Sequence, residues 1–589
     1  MVDSMTAMER MTDSAALDAL ASEYWQAYLE ANPLNATYIG DPRFDDQLAT
    51  HTPEGTKATS ARFDALRARA AAMEPERLGS DDRVTLSALQ ESIAADLAEL
   101  RTGLLEWGVN PLEGAPVEFL SIPAYQRLET PEDGEKMLAR WREMARYSTE
   151  QLATLRRSLA DGRVASVSPV RRTVAVMEEL LDSPVEEWPL LEPLATLPEL
   201  EGWSESQRAS FAASLSAIVT DEIRPAFIAL HDALVVEVLP VARTDDEPGM
   251  CVIPGGAEGY RNLIRMHTSV DIDAETLHRI GHAEIERIDA EMLELAGRTI
   301  GSTTLADALA ALRADPKLYF TSREEVFEKA ASSLRRAIEA APAWFGRLPV
   351  AECTILEMPA HEEEHAGAAY YRAPASDGSR PGVVVVNTSN PTERPCYEAE
   401  ALAYHEAVPG HHLQGALGQE VAGLPDFRRH LGPTSYFEGW GLYAERLADE
   451  MGLYSGDIDR IGMVSFDSWR AARLVVDTGI HAMGWSRQEA IDFMLAHSAL
   501  APRAVADEVD RYIALPGQAL AYKTGQLELM RMRRDAERRL GPAFDIRGFH
   551  DTILSDGALP LPTLARLVES WADRLAASAS PVPVHATTS

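Results

Sequence analysis

One stretch constrains this chain more than any other: Tyr404-His405-Glu406-Ala407-Val408-Pro409-Gly410-His411-His412-Leu413-Gln414, with Tyr436-Phe437-Glu438-Gly439-Trp440-Gly441 downstream. A His-Glu pair, a histidine just beyond it and a carboxylate 438 − 411 = 27 residues later form the donor set a zinc hydrolase needs. Three ligands hold the ion and an extra carboxylate activates water. The spacing departs from His-Glu-x-x-His, whose histidines stand at i and i+4 on one helical face. Here position i+4 is Pro409. On an unbroken helix His411 would lie about 240° round from His405 and about 9 Å along the axis, and His412 would return to the same face about 10.5 Å away. With zinc–nitrogen bonds of about 2.0–2.1 Å, neither could share an ion with His405. Pro409 cannot donate to the carbonyl of His405, and Gly410 tolerates conformations other residues avoid. The segment is therefore read as a zinc helix opened by one wide turn. His405, His411 and Glu438 are the expected ligands, with His412 as the alternative to His411.

Around this stretch the apolar pattern is helical. From Ala15 to about Leu239 apolar residues recur at three- and four-residue steps, as in Leu17, Leu20, Tyr24, Ala27 and Tyr28, with breaks at Asn32-Pro33, Gly40-Asp41-Pro42 and Asn110-Pro111. Pro240 to Gly259 is a Pro-, Gly- and Asp-rich loop, and helices resume at Asp273. Sheet signals fall at Glu352 to Leu356, Ala368 to Tyr371 and Gly382 to Asn387, whose four valines read as a buried or edge strand. An edge strand there would leave backbone groups for an extended peptide, with Asn387 as a substrate-binding candidate; plain packing support weighs equally. The expected fold is mainly α, two helical lobes around a deep cleft with a small sheet beside the metal helix. Residues 1–245 form the first lobe, 246–577 the catalytic lobe and 578–589 a disordered tail. His361-Glu362-Glu363-Glu364-His365 matches His-Glu-x-x-His literally, but its charged middle and lack of an apolar face mark it as a solvated turn.

Glu406 is the expected general base. Glu445, two turns beyond Glu438, is either an acceptor behind a ligand or a solvated side chain. Arg470, Arg473, Asp477 and His481 follow helical steps through an apolar helix, so they form either an internal ion-pair network or a cleft wall. On the second reading Arg473, with Arg470, receives a substrate carboxylate and His481 steadies the tetrahedral intermediate. Of the tyrosines flanking Pro516-Gly517, Tyr522 is the first candidate to face the oxyanion and Tyr512 the second.

Composition narrows the partners. A formal charge of −37, from 55 basic and 92 acidic residues, argues against nucleic acid or an anionic membrane. No apolar run approaches 18 residues, and Met1 to Thr6 carries neither a basic cluster nor an apolar core, so no membrane span or secretory signal is expected. Cys251, Cys353 and Cys396 make no disulfide framework, and a cytoplasmic setting fits them. Oligomeric state is not legible.

His405 to Gln414, Phe437 to Gly441, Arg473 to Gly479 and Pro516 to Lys523 resemble the bacterial domain-of-unknown-function 885 family, which is grouped with the gluzincin metallopeptidases. The similarity spans about Leu17 to Ala576. It implies a mostly helical, cleft-bisected fold like those of angiotensin-converting enzyme, thimet oligopeptidase and the thermostable zinc carboxypeptidases. Their His-Glu-x-x-His and downstream Glu fall on His405, Glu406, His411 and Glu438. The Pro409-Gly410 insertion departs from that pattern, and Leu442 stands where some relatives carry an Asp behind the metal ligands. The expected activity is zinc-dependent hydrolysis of short peptides, carboxypeptidase- or dipeptidase-like. A zinc hydrolase of a non-peptide amide or amino-acid conjugate and a non-catalytic helical binding protein are the alternatives.

Overall fold

The computed structural model describes residues 7–111, 114–360, 362–363, 367–375, 378 and 380–579. Helix follows the apolar periodicity: Leu17, Leu20, Ala21 and Tyr24 line one stripe of α1 (Ala7–Ala31) and all are buried. Helices α2 (Pro53–Ala71) and α3 (Ser80–Leu100) pack beside it. The longest helix, α4 (Pro131–Ala160), opens with a capping box in which Thr130 and Asp133 satisfy each other's backbone N–H groups. Among the described residues no helix is long and apolar enough to cross a membrane.

Two large cores divide the chain differently from a boundary at 245. Residues 109–238 close around Trp141, Trp188 and Phe227, joined by Leu48. The apolar residues from Leu17 to Phe44 and from Phe63 to Leu97 instead belong to the same core as Ile285 to Val568. Tyr24 meets Phe427 edge-on at 5.6 Å, and the Ser87 and Thr563 hydroxyls lie 2.7 Å apart. The first lobe of the sequence reading is thus split, because the stripe of α1 to α3 is buried by the second half of the chain. A helix over Leu561–Ala579 runs through Ser578 and Ala579, and the remainder of the expected tail, 580–589, lies outside the described residues.

A helical block carries the metal-helix region: α5 (Ala274–Thr299), α6 (Ala399–Glu406), α7 (His411–Gln419), α8 (Thr434–Glu450), α9 (Asp457–His481), α10 (Arg487–His497), α11 (Pro502–Ala514), α12 (Leu520–Leu540), α13 (Ile546–Leu554) and α14 (Leu561–Ala579). Buried charges fix four of these helices against one another. Lys523 Nζ lies 2.6 Å from Asp467 and 3.0 Å from Glu284, and Arg446 bridges Asp467 (2.5 Å) and Glu291 (2.6 Å). Burial alone would raise the Asp467 carboxyl, but Lys523, Arg446 and Arg287 outweigh it and hold the group far below the carboxylate range.

The sheet has the order β1 (Cys353–Glu357), β3 (Gly382–Val386), β2 (Ala369–Arg372), with β3 parallel to β1 and antiparallel to β2. The valine strand is central and buried along its whole length, so the edge reading does not hold for it. Nor does Asn387 face a substrate. Its Nδ2 donates to the Glu363 (2.9 Å) and Gly367 (3.3 Å) carbonyls, and its Oδ1 accepts from Ser389 N (3.1 Å) and Oγ (2.7 Å). Its amide pins a loop. In the literal His-Glu-x-x-His, Glu362 and Glu363 form a turn, while both histidines lie outside the described residues.

Helices α8 and α12 approach to backbone contact. A Cβ on Gly525 would stand 2.1 Å from the Ser435 carbonyl oxygen, and one on Gly439 would stand 2.5 Å from Gly525 Cα. Gly525→Ala must push the helices apart, so it should cost about 1–3 kcal/mol, read as an earlier denaturation midpoint; an unchanged midpoint would mean the crossing is slack.

Candidate metal centre

The sequence dictates a broken helix and the structure has one. α6 ends at Glu406, residues 407–410 loop out, and α7 starts at His411. His412 N–H closes the loop on the Ala407 carbonyl (3.0 Å). Gly410 is required sterically, since a Cβ there would stand 1.9 Å from the His405 carbonyl oxygen. From α8, Trp440 Nε1 donates to the Pro409 carbonyl (2.9 Å) and holds the loop in place.

The detour returns His411 to His405, with ring centroids 4.6 Å apart and near-perpendicular planes. Glu438 Oε2 lies 3.5 Å from His405 Nε2 and 3.7 Å from His411 Nε2, and the three donors stand within 4.8 Å of one another. A tetrahedral ion with bonds of about 2.0–2.1 Å keeps its donors roughly 3.3–3.5 Å apart, so this set fits a divalent metal. His405 is buried, while the side chains of His411 and Glu438 are 17% and 22% exposed, which leaves an open side.

One helical stripe of α8 builds the seat. Glu438, Gly441 and Glu445 stand at i, i+3 and i+7. The His405 ring lies on Gly441, where a Cβ would meet Cε1 at 2.4 Å. Its Nε2 faces Glu438, and its Nδ1–H donates to Glu445 Oε1 (2.8 Å). Burial works against charge on His405, but Glu438 and Glu445 outweigh it and raise the ring to about 10. For Glu438 burial is likewise outweighed, here by His405 and His411, and its carboxyl is held well below the carboxylate range. Both groups are thus set to share a cation or a proton between them. Behind Glu445, Arg470 Nη2 lies 3.8 Å away, its guanidinium stacked over Phe466 and Trp469.

His412 does not join this set. Its Nε2–H donates to the Ala351 carbonyl (3.2 Å), its Nδ1 faces the Tyr371 hydroxyl (3.3 Å), and burial pushes it down to about 4. It is the neighbour of His411 that anchors α7 to the sheet.

The polar stripe on α9 is internal, against its cleft-wall reading. Arg473 donates from Nε to the Tyr512 hydroxyl (2.9 Å) and from Nη2 to Glu508 (3.0 Å), and its guanidinium lies over Trp469 and Tyr522. Neither Arg473 nor Arg470 is exposed to receive a substrate carboxylate. The Tyr512 hydroxyl is fully used, donating to Glu508 (2.6 Å) and accepting from Trp469 Nε1 and Arg473. Asp477 accepts from the Tyr260 hydroxyl (2.5 Å) and the Gly517 N–H, tying α9 to the Pro516-Gly517 turn. His481 cannot steady an intermediate. Its Nδ1 accepts from Met250 N–H (3.3 Å), its Nε2–H donates to the Tyr512 carbonyl (2.9 Å), and burial pushes it down to about 3. It also lies roughly 16 Å along α9 from Arg470.

Tyr522 is placed differently. It lies one turn before Gly525, the residue in backbone contact with Gly439 beside Glu438, and none of the described residues hydrogen-bonds its hydroxyl. The sequence reading did not single out Trp440, which holds the loop, or Gln414, whose Nε2 donates to the Tyr436 carbonyl (3.0 Å) and ties α7 to α8.

Fold and site together define a mainly helical protein with a His-His-Glu donor set suited to a divalent cation. The chain belongs to the family described as "Bacterial protein of unknown function (DUF885)", whose model matches residues 33–568. No curated protein matches it in sequence. Among solved structures, a Colwellia psychrerythraea protein provisionally named a lipoprotein is 26% identical, covering 95% of this chain and 99% of its own at a TM-score of 0.86. A Shewanella oneidensis protein of unknown function, likewise provisionally named a lipoprotein, is 18% identical, covers 94% and 99%, and has a TM-score of 0.72. The Pyrococcus furiosus carboxypeptidase aligns over 96% and 97% at 10% identity, but its TM-score of 0.33 is too low to establish a shared fold.

Two outcomes follow. Glu445→Ala should weaken metal affinity roughly 10–100-fold and Glu445→Gln less, by equilibrium dialysis; equal affinities would show that His405 is oriented without it. His481 is charged in the unfolded chain below about 6.5 but neutral in the fold down to about 3. Its contribution to stability is present above 6.5 and lost as pH falls through that window. His481→Gln should therefore flatten the loss of stability between pH 7 and 4, measured by denaturant midpoints at each pH.

Proposed function

We propose that this protein is a zinc-dependent hydrolase of peptide or related amide bonds in small substrates. The observation that carries the reading is the convergence of His405, His411 and Glu438, with Glu406 immediately beside the first of them. Two imidazoles and one carboxylate suit zinc, leaving a coordination position open for chemistry. Bound there, zinc would supply Lewis acidity to an attacking water and to the scissile carbonyl.

The chain's own groups do the rest. Glu406, half-buried on the last turn of α6, takes the water's proton and returns it to the leaving amine. Glu445 holds the Nδ1–H of His405, fixing which ring nitrogen is presented. Tyr522 donates its hydroxyl to the carbonyl oxygen as charge develops there. Because Arg470 and Arg473 are engaged internally, a carboxypeptidase preference has no arginine to rest on, and the substrate is assigned by bond type.

Metal analysis combined with a panel of short free and blocked peptides tests the assignment. Glu406→Gln should keep the metal and lower kcat roughly 10²–10⁴-fold. Tyr522→Phe should lower kcat about 10²–10³-fold with little change in KM. Metal-loaded wild-type protein that cleaves none of the panel, or Glu406→Gln that cleaves as well as wild type, would reject the reading.

A further inference from the structure

Away from the His405 set, α5 carries His278 and His282 at i and i+4, so both rings leave the same helical face. Their Nε2 atoms are 3.2 Å apart and both side chains are partly exposed. Aromatic walls fix the rings. Trp485 stands edge-on to His278 at 5.5 Å, and Phe493 edge-on to His282 at 5.5 Å.

The hydrogen bonding settles one tautomer. The Thr478 hydroxyl has a single proton, and it goes to the α9 backbone, 2.5 Å from the Leu474 carbonyl and 3.1 Å from that of Val475. Thr478 Oγ1 therefore accepts the Nδ1–H of His278 at 2.8 Å. His278 is left with a lone pair on Nε2, aimed at Nε2 of its partner. An acceptor on the far nitrogen is the arrangement that orients histidine ligands in metal sites. Burial, and after it the adjoining imidazole, also lowers the basicity of His278, and burial with His497 does so for His282, which favours neutral rings.

The geometry points to an accessory cation site, made by His278 and His282, for a divalent transition metal of the imidazole-preferring kind such as zinc, copper or nickel. In a tetrahedral shell with bonds of about 2.0–2.1 Å, two imidazole nitrogens lie roughly 3.3–3.4 Å apart, close to the observed separation. Solvent completes the shell, with Glu286 and His497 the charged and titratable groups that act on His282. With two protein ligands the site binds more weakly than the His405 set.

Zinc itself is the probe. Equilibrium dialysis of the full chain against rising free zinc, followed by metal analysis, should show that His278→Gln and His282→Gln each lower the saturating load by one ion per chain and leave hydrolysis of the best substrate unchanged. His405→Gln should remove a different ion, so that combining it with His282→Gln removes both. Copper(II) offered to the zinc-loaded wild type should give an electron paramagnetic resonance signal with two-nitrogen coupling that both His278→Gln and His282→Gln abolish. Zinc loading unchanged in these two variants overturns the site and shows the rings to be hydrogen-bonded to each other only. A His405→Gln protein with unchanged loading instead overturns the reading of the His405 set, while a one-ion loss in His282→Gln would still uphold the pair.

Discussion

The metal-centre region depends on how one imidazole is seated. His405 lies flat on Gly441 between two carboxylates of the same helical stripe, with Glu438 at one ring nitrogen and Glu445 at the other. This single contact sets the separation of α6 and α8, because any side chain at 441 would lift the ring out of its seat. The return of the chain through Pro409 and Gly410 then places His411 on the same side of Glu438, and Trp440 keeps that return in register. A buried ring held between a buried carboxylate, Glu445, and a partly exposed one, Glu438, is tolerable only if positive charge, a proton or a cation, is shared among them.

Much of this was legible in the sequence because the relevant spacings are local. A proline at i+4 forbids the ordinary zinc helix, and a following glycine permits the detour. The stripe of Glu438, Gly441 and Glu445 could be read from i, i+3 and i+7 steps, and it explains why Leu442 need not be an Asp: the acceptor behind His405 comes from a turn further on. The choice between His411 and His412 was not legible, since it depends on where the sheet lies. Once β3 is central, Ala351 and Tyr371 claim His412.

The stripe on α9 shows the opposite limit. Arg470, Arg473, Asp477 and His481 share a face in a strongly apolar helix, and spacing alone cannot say whether such a face meets solvent or partners from other helices. Each partner comes from far along the chain: Glu445 for Arg470, Glu508 and Tyr512 for Arg473, Tyr260 and Gly517 for Asp477, Met250 for His481. These contacts turn an apparent binding wall into electrostatic scaffolding. Tyr522 shares the stripe only through its ring, which packs under the Arg473 guanidinium, and among the described residues none hydrogen-bonds its hydroxyl.

Because the apolar residues from Leu17 to Phe44 and from Phe63 to Leu97 share the large core with the helices that close the chain, the segment between them is arranged as an insertion. Residues 109–238 leave the block and return to it carrying an apolar interior of their own. Such an excursion can be lengthened, reshaped or exchanged over evolutionary time without disturbing the seat of His405. Variation between related chains can therefore accumulate there while the packing around His405 stays in place.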